Sequence, residues 1–501
     1  MKKGFPLAVY AMVIGAFAVG ADEFIVAGVI REIAQALSVT LGQAGLLESA
    51  YALGVAIGAP LFTVLGLRLP RRRMLLISIV VFVVGNLISA LGPTYSVIMI
   101  GRLVAAAAHG AFLGIAALAA GDMVAPERKG RAIAIVFSGL TAATVLGAPI
   151  GAAVGRALGW RFTFWTLVLA GGIALLAFIF LMPRRTAADH GHGHAHDEAH
   201  DSHGAHAEAH PAEAHPAEAH GKHGAHAGHE EHDSYAVHAE AHGHGDPHGG
   251  HGEAHGHAHG HEDQDHGDLD DLDAHSRMHM AQEGQRAPLG EQIKAIARPP
   301  VWLGLLMTLL GYGGVFTSYV YLEPQIVEVA GLSGAWVTPL FLLFGVGLFF
   351  GNTIGGRLAD KNLMPAVLLT VGSLVLMLFV MYFAIQNPVT AVVGIFLYGA
   401  AAFSVVAPLQ LRIVSKAADA PDVSSAANIS AFTLGSAIGI WLGGWAIDGG
   451  LGIASVNLVG GLISLSGLAL AVIAWAFVDR RYPDPLAEGG EIPEEAFGHR
   501  H

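Results

Sequence analysis

The sequence predicts an all-α integral membrane protein whose twelve transmembrane helices form two six-helix, pseudo-symmetric bundles. Three observations support this class: a composition poor in charge, apolar segments long enough to cross a bilayer, and a six-span pattern that occurs twice. Of the 501 residues, 53% are hydrophobic and only 13% are charged. Soluble domains carry about 25% charged residues. Most of this chain is therefore expected to lie in lipid.

The apolar segments match the hydrocarbon core of a bilayer, which is about 30 Å thick and requires about 20 helical residues. Short turns such as residues 92–94 and 386–388 separate neighbouring spans. Six spans are expected before a polar central segment and six after it. They cover residues 6–30, 42–67, 74–92, 95–121, 133–155, 162–182, 300–322, 336–356, 364–385, 389–411, 424–447 and 453–478.

Basic residues predict the orientation, because cytoplasmic loops are enriched in Lys and Arg. With both termini in the cytoplasm, only Arg31, Arg156 and Arg161 fall on the outer side. The inner side then carries Lys2, Lys3, Arg68, Arg71, Arg72, Arg73, Arg128, Lys129, Arg131, Arg184, Arg185, Arg357, Lys361, Arg412, Lys416, Arg480 and Arg481. This asymmetry predicts cytoplasmic termini.

Four regions are expected along the chain. They are an N-terminal six-helix bundle (1–183), a cytoplasmic His-rich disordered linker (184–290), a C-terminal six-helix bundle (291–483) and a cytoplasmic tail (484–501). Gly66 opens a basic loop after the second span, and Gly356 opens a similar loop after the eighth. Such internal repetition is the plan of many secondary transporters.

Ionisable residues within the first bundle are the candidate functional residues, because a charge inside a span costs about 2.5–3.5 kcal/mol on insertion scales. Counted along their helices at 1.5 Å per residue, Asp22, Glu23, Glu48 and Arg102 fall at a common depth. His109 lies two helical turns beyond Arg102 on the same face. These five residues are the candidates for proton coupling.

Glu23 is one candidate for the coupling carboxyl. Asp22 points about 100° away from it on the helix, so the two cannot both face one cavity centre. The alternative is a static structural ion pair between Glu23 and Arg102. His109 is equally open to a packing role, because a lone histidine inside a membrane often has one.

Glycines recur at four- or eight-residue intervals on the fifth and eleventh expected helices. Small residues at this spacing let helix backbones approach closely, and we expect sliding contacts between the two bundles there. The glycines are Gly139, Gly147, Gly151 and Gly155, and then Gly435, Gly439 and Gly443.

Six aromatic residues are candidates for the lining of a cavity for an organic substrate, although aromatic side chains facing lipid are just as common. They are Phe24, Tyr51, Tyr312, Phe316, Tyr319 and Phe432. The sequence contains no nucleotide-binding loop, which argues against transport driven by ATP.

Short motifs in both halves share the pattern of one transporter family. Gly356, Arg357, Asp360 and Lys361 belong to a G-x-L-a-D-R/K loop. Gly147, Pro149 and Gly151 are similar to a G-P-x-x-G motif, and Arg102 opens a pattern similar to a buried-arginine motif. Together these motifs resemble the major facilitator superfamily, in its twelve-helix drug:proton antiporter branch and the arabinose-efflux-permease-like group.

The resemblance implies a proton-coupled secondary transporter, not an enzyme, that exports a small organic molecule such as a drug, a sugar or another metabolite by alternating access. It implies a monomer in a bacterial inner membrane, with protons and a small molecule as ligands and no nucleic-acid partner. Glu23 aligns with the first-helix acid of this family, which favours it as the coupling carboxyl, and the 356–361 loop would act in gating. Pro70 departs from the family, because Asp is usual there, so one gate contact should be missing or replaced.

The polar central segment holds 26 of the 29 histidines, between His190 and His279. It has almost no large apolar residue, so it is expected to be disordered. Imidazoles bind Zn and Ni, but no fixed ligand geometry is written here, and no obligatory cofactor is expected. Diffuse weak sites are expected at His210, His215, His220, His223, His226 and His229.

A divalent-metal (Zn, Ni or Co) efflux carrier that uses this loop is the alternative function. The second bundle offers few ligands for a metal path, since Glu323, Glu328 and Asp448 lie only at the ends of spans. The loop is therefore interpreted as an accessory. Deletion of about residues 190–280 is expected to leave a folded transporter.

Overall fold

The computed structural model describes residues 5–66, 69–125, 128–182, 297–417 and 420–479, and all of the regular elements in these ranges are helical. The proposed metal-binding histidines and the tail 484–501 lie outside the described residues. Those histidines are His210, His215, His220, His223, His226 and His229.

The N-terminal half contains six long helices and one short helix. They are α1 (Leu7–Ile25), α2 (Ile30–Leu37), α3 (Leu41–Gly66), α4 (Arg71–Leu91), α5 (Tyr95–Asp122), α6 (Lys129–Leu158) and α7 (Arg161–Leu181). Pro6 and Pro70 directly precede α1 and α4, where a missing N–H costs nothing because the first helical donors lack partners within the helix. Gly159 follows α6 at φ 99°, a conformation that favours glycine.

The C-terminal half repeats this arrangement. Its helices are α8 (Pro299–Tyr319), α9 (Leu322–Pro324), α10 (Val337–Lys361), α11 (Leu363–Ala384), α12 (Pro388–Ser404), α13 (Val406–Lys416), α14 (Pro421–Ala446) and α15 (Ser455–Ile473). Short helical turns follow three of them, at Gln325–Val329, Ile447–Leu451 and Ala474–Asp479.

Twelve of the described helical segments are long and apolar enough to cross a membrane, which confirms the fold class and the span count predicted from the sequence. Two spans are interrupted. The first changes to a 3-10 turn at Val26–Gly28 and breaks at Val29. The tenth divides at Val405, because Pro408 has no N–H to donate to the carbonyl of Ser404.

The two ends of the helix assembly differ in charge. The end at which α1 finishes carries α2 and α9, and we call it the α2 end. At the opposite end, called the basic end, Arg71–Arg73, Arg128, Lys129 and Lys361 lie at helix termini. All the spans run between these two ends.

The glycine face of α6 packs within its own half, so the glycines do not make the expected contact between the halves, although α6 and α14 both contact the other half. A side chain at Gly139, Gly151 or Gly155 would collide with Val13, Ile25 or Val29 of the first span. Gly435 and Gly439 of α14 lie in the same way against Leu309 and Gly313 of α8. Small residues therefore allow pairs of helices within each half to pack closely.

Close approaches between the halves occur at other glycines. Gly42 of α3 lies against Gly444 of α14, and Gly345 of α10 lies against the backbone of Val145 in α6. These contacts align α3 with α14 and α6 with α10 across the interface.

Candidate functional site

A buried ionic cluster lies inside the N-terminal half. Arg102 of α5 forms ion pairs with Asp22 of α1 and with Glu48 of α3, the latter at 2.6 Å between Nη2 and Oε2. The exposed fractions are 0% for Asp22 and Arg102 and 2% for Glu48. The structure thus brings together residues from three helices that the sequence placed at one depth.

Asn86 of α4 completes the surroundings of Asp22. Its Nδ2 donates to Oδ2 of Asp22 at 2.7 Å, and the asparagine is fully buried. Sequence reasoning missed this residue, although an amide in the middle of the apolar helix α4 is the available signal. Glu48 Oε1 and Arg102 Nε are buried without a hydrogen-bond partner, so the cluster is not fully satisfied.

Tyr51 and His109 extend the cluster toward the basic end. The Tyr51 hydroxyl lies 2.9 Å from Nδ1 of His109. The guanidinium carbon of Arg102 lies 4.1 Å from the Tyr51 ring centroid, within the range of a cation–π interaction. Because Tyr51 contacts both residues, the buried His109 belongs to the same connected group as Arg102.

Glu23 has different surroundings from Asp22. Arg102 forms its ion pairs with Asp22 and Glu48. Among the described residues, the alternative Glu23–Arg102 ion pair is therefore not formed. Glu23 is partly exposed, and it lies near enough to Tyr312 and Tyr319 for its charge to act on their hydroxyls. It also lies within electrostatic range of Arg102, Glu48 and Tyr51 in its own half.

Five of the six predicted cavity aromatics lie together at the interface between the halves. The Phe24 ring centroid is 5.9 Å from that of Phe316 and 5.7 Å from that of Tyr319. Tyr312 contacts Phe432 edge-on at 4.8 Å. Tyr51 lies apart from this group, beside His109 and Arg102.

The halves are joined at the α2 end by polar contacts. Arg31 forms an ion pair with Glu323 at 3.0 Å. Asp448 accepts hydrogen bonds from the Thr40 hydroxyl at 2.7 Å and from the Gly42 N–H at 3.2 Å. These residues close the interface at this end, and sequence reasoning placed Glu323 and Asp448 only at the ends of spans.

Further along the interface, α3 and α14 remain in contact. Ser49 donates to the Ala437 carbonyl at 2.6 Å, and Ser430 donates to the Ala56 carbonyl at 2.8 Å. Along α6, a shallow and open depression of about 630 Å³ is lined by residues of this helix alone. Its lining residues are Ala134, Phe137, Ser138, Thr141, Ala142, Val145 and Leu146.

The predicted gating residues of α10 lie at the basic end. Arg357, Asp360 and Lys361 are exposed, and none of them forms an ion pair with another described residue. A side chain at Gly356 would meet open space, whereas one at Gly355 would collide with Ser404 of α12. The close helix contact in this motif is therefore made by Gly355.

The first-half gate loop has a substitute contact. Pro70 stands where an acid was expected, and Arg71 instead pairs with Asp122 at the end of α5. The three residues of the motif similar to G-P-x-x-G, Gly147, Pro149 and Gly151, are buried in α6, with Gly147 and Gly151 against α1.

Comparison with known proteins decides the family. A family model described as Major Facilitator Superfamily matches residues 12–439. The chain belongs to this superfamily. It is 29% identical over 476 residues to the inner membrane transport protein YdhP of Escherichia coli K12, covering 94% of this chain and 96% of that one.

Two other relatives of this superfamily member are informative. A chloramphenicol resistance protein of Streptomyces lividans is 28% identical, covering 87% of each chain. AraJ of Escherichia coli K12 is 25% identical, covering 92% of this chain and 93% of that one. The membership of this chain in the major facilitator superfamily, predicted from the motifs, is confirmed.

The fold agrees with a solved superfamily structure. A D-xylose–proton symporter matches with a TM-score of 0.63 at 14% identity, covering 97% of this chain and 99% of that one. The chain is thus a multi-pass membrane protein of a transporter family.

Among the described residues, no group of three or more His, Asp or Glu side chains could hold a metal ion.

Proposed function

We propose that this protein is a proton-coupled antiporter that exports a small organic molecule by alternating access between the two halves. The observation that carries the proposal is the charge balance of the buried cluster. Asp22, Glu23 and Glu48 supply three carboxyl groups near one guanidinium, that of Arg102. Low-dielectric surroundings penalise uncompensated charge, so this site has a physical reason to bind protons.

Glu23 is the carboxyl best placed to link the proton with a substrate. It is partly exposed beside the interface aromatics, whereas Asp22 is enclosed by Arg102 and Asn86. A proton on Glu23 changes the charge of the cavity wall without breaking the ion pairs of the cluster. Substrate and proton can then exclude each other at one site, which is the requirement for exchange.

The aromatic group at the interface supports an organic substrate. Phe24, Tyr312, Phe316, Tyr319 and Phe432 present large apolar surfaces with two hydroxyls, and ligand sites are typically apolar with few polar groups. The chloramphenicol resistance protein among the relatives favours export of drug-like compounds. A growth screen of an expressing strain against drugs, sugars and metals would identify the substrate.

The pattern of contacts supports alternating access. Polar contacts close the interface at the α2 end, and the shallow depression along α6 lies toward the basic end. Because basic loops favour the cytoplasm, we place the basic end inside and describe this conformation as inward-facing. The exposed residues Arg357, Asp360 and Lys361 would then engage only when the basic end closes.

Transport in energised membrane vesicles tests the proposal. A substrate identified by the growth screen should accumulate against its gradient when a proton gradient is imposed. A protonophore should abolish this accumulation while leaving downhill exchange of labelled substrate intact. Uphill transport that continues at the same rate after the proton gradient is dissipated would show that the proposal is wrong.

A further inference from the structure

The α2 end contains a second group of charged residues, separate from the cluster around Arg102. Arg31 Nε lies 3.0 Å from Oε1 of Glu323. Of the ion pairs within the described residues, this is the one that joins the two halves; the other pairs link residues of the N-terminal half. Its position makes it sensitive to whether the α2 end is open or closed.

This group has more negative than positive charge. Glu32, next to Arg31 in α2, acts electrostatically on Glu323. One oxygen of each acid, Glu32 Oε2 and Glu323 Oε2, is buried without a hydrogen-bond partner. The 3-10 turn Val26–Gly28 also packs against α9 and carries no charge, while Glu328 on the following turn is exposed.

Glu323 is held firmly in this position. The segment that carries it is fixed by a buried network in which Ser318 donates to Asn457 at 2.6 Å and Asn457 donates to Gln325 at 2.6 Å. Gln325 in turn donates to the Ser318 carbonyl at 3.0 Å. A movement of α2 away from α9 would therefore expose Glu323 to water instead of carrying it along.

We propose that Glu323, together with Arg31 and Glu32, is a proton-binding site that forms when the α2 end closes, so that closure takes up one proton. The bound proton neutralises the surplus carboxylate and gives an unpartnered oxygen a hydrogen to donate. Acid on that side of the membrane then favours the closed conformation. This inference holds whichever ion drives transport.

The sign follows from the two environments of Glu323. In the closed conformation, burial and then Glu32 raise the pKa of Glu323 to about 7, against the opposing effect of Arg31. In the open conformation the carboxyl meets water, and its pKa falls toward the ordinary value of 4.5. Between these values the closed state binds the proton more tightly, so the closed-to-open ratio rises by at most about tenfold per unit fall in pH.

Distance measurements on the full chain test this site. The protein has no cysteine, so spin labels can be placed at Ala36→Cys and Ala335→Cys, two exposed positions on opposite halves at the α2 end. We expect the short-distance population to grow as the pH falls through about 7. Glu323→Gln should remove most of this dependence and keep the short distance populated at high pH.

Two further variants make the test specific. Glu32→Gln relieves a repulsion on Glu323, so the midpoint of the transition should move to lower pH. Glu328→Gln changes an exposed acid nearby and should leave the midpoint unchanged. The proposal is overturned if the short-distance population of Glu323→Gln depends on pH as that of the parent does. It is also overturned if this population grows with rising pH, as expected if only the ionised Glu323 held the two halves together. Because neither substrate nor gradient is present, these outcomes are independent of the vesicle experiment.

Discussion

Asp22 and Glu23 are adjacent acids with different surroundings in this structure. Asp22 is fully buried between Arg102 and Asn86, while Glu23 is partly exposed beside the interface aromatics. The first therefore contributes to the integrity of the N-terminal half, and in the proposed mechanism the second changes its protonation during transport.

Substitution of each acid by its amide should separate these roles. Glu23→Gln should abolish uphill export but keep downhill exchange and thermal stability, because it removes a titratable proton and no ion pair. Asp22→Asn should lower the melting temperature of the purified protein, since removing one partner of a buried ion pair costs about 3–5 kcal/mol.

Transport assays and thermal unfolding in detergent measure both effects. Glu328→Gln, an exposed acid, is the matched control and should change neither. Normal uphill transport by Glu23→Gln would move the coupling role to Asp22 or Glu48. An unchanged melting temperature for Asp22→Asn would contradict the structural role given to its ion pair.

The depth of the cluster could be predicted from the sequence, but its pairing could not. Counting residues along helices gives the height of Asp22, Glu48 and Arg102 in the membrane, and the structure places them together. The direction in which each side chain points depends on how the helices are rotated and packed. That is why the amide partner Asn86 and the choice of Asp22 over Glu23 emerged only from the structure.

At the scale of helices, composition predicted the spans well because apolar length is imposed by the bilayer. The breaks at Val29 and Val405 were missed, since the apolar pattern continues through both. Pro408 was a usable signal for the second break. The interface role of the α6 glycines was also mispredicted, because small-residue spacing identifies a close helix contact without identifying the partner helix.

The contact of α6 with α1 should depend on Gly151. A side chain there would collide with the Ile25 carbonyl, and backbone cannot move aside as a flexible side chain can. Gly151→Ala should therefore destabilise the protein by about 1–3 kcal/mol, as overpacking does, despite the higher helix propensity of Ala.

Gly172→Ala in α7 is the control, since a side chain there meets nothing within 4 Å. It should leave the melting temperature equal or slightly raised. Thermal unfolding of the two variants in one detergent compares them directly. Equal melting temperatures would mean that α1 and α6 can move apart without loss of stability. That result would contradict the close packing of the two helices at Gly151.

At the scale of the whole molecule, the sequence predicts two similar halves but not which end of their interface is closed. Both conformations of an alternating-access cycle belong to one chain, and their difference in free energy is a few kcal/mol. The structure presents the state in which Arg31, Thr40 and Gly42 meet Glu323 and Asp448. If the cycle is as proposed, these contacts must break in every turnover.

A reversible covalent link across the α2 end should therefore stop transport. The Thr40 hydroxyl and Oδ2 of Asp448 are 2.7 Å apart, so Thr40→Cys and Asp448→Cys can be joined by a short bifunctional thiol reagent in the otherwise cysteine-free chain. The linked double variant should lose exchange as well as uphill export, because substrate can no longer reach the α2 side. Reduction of the link should restore both activities, and each single variant treated with the reagent should keep transporting. Full transport by the linked protein would mean that this end does not open during the cycle.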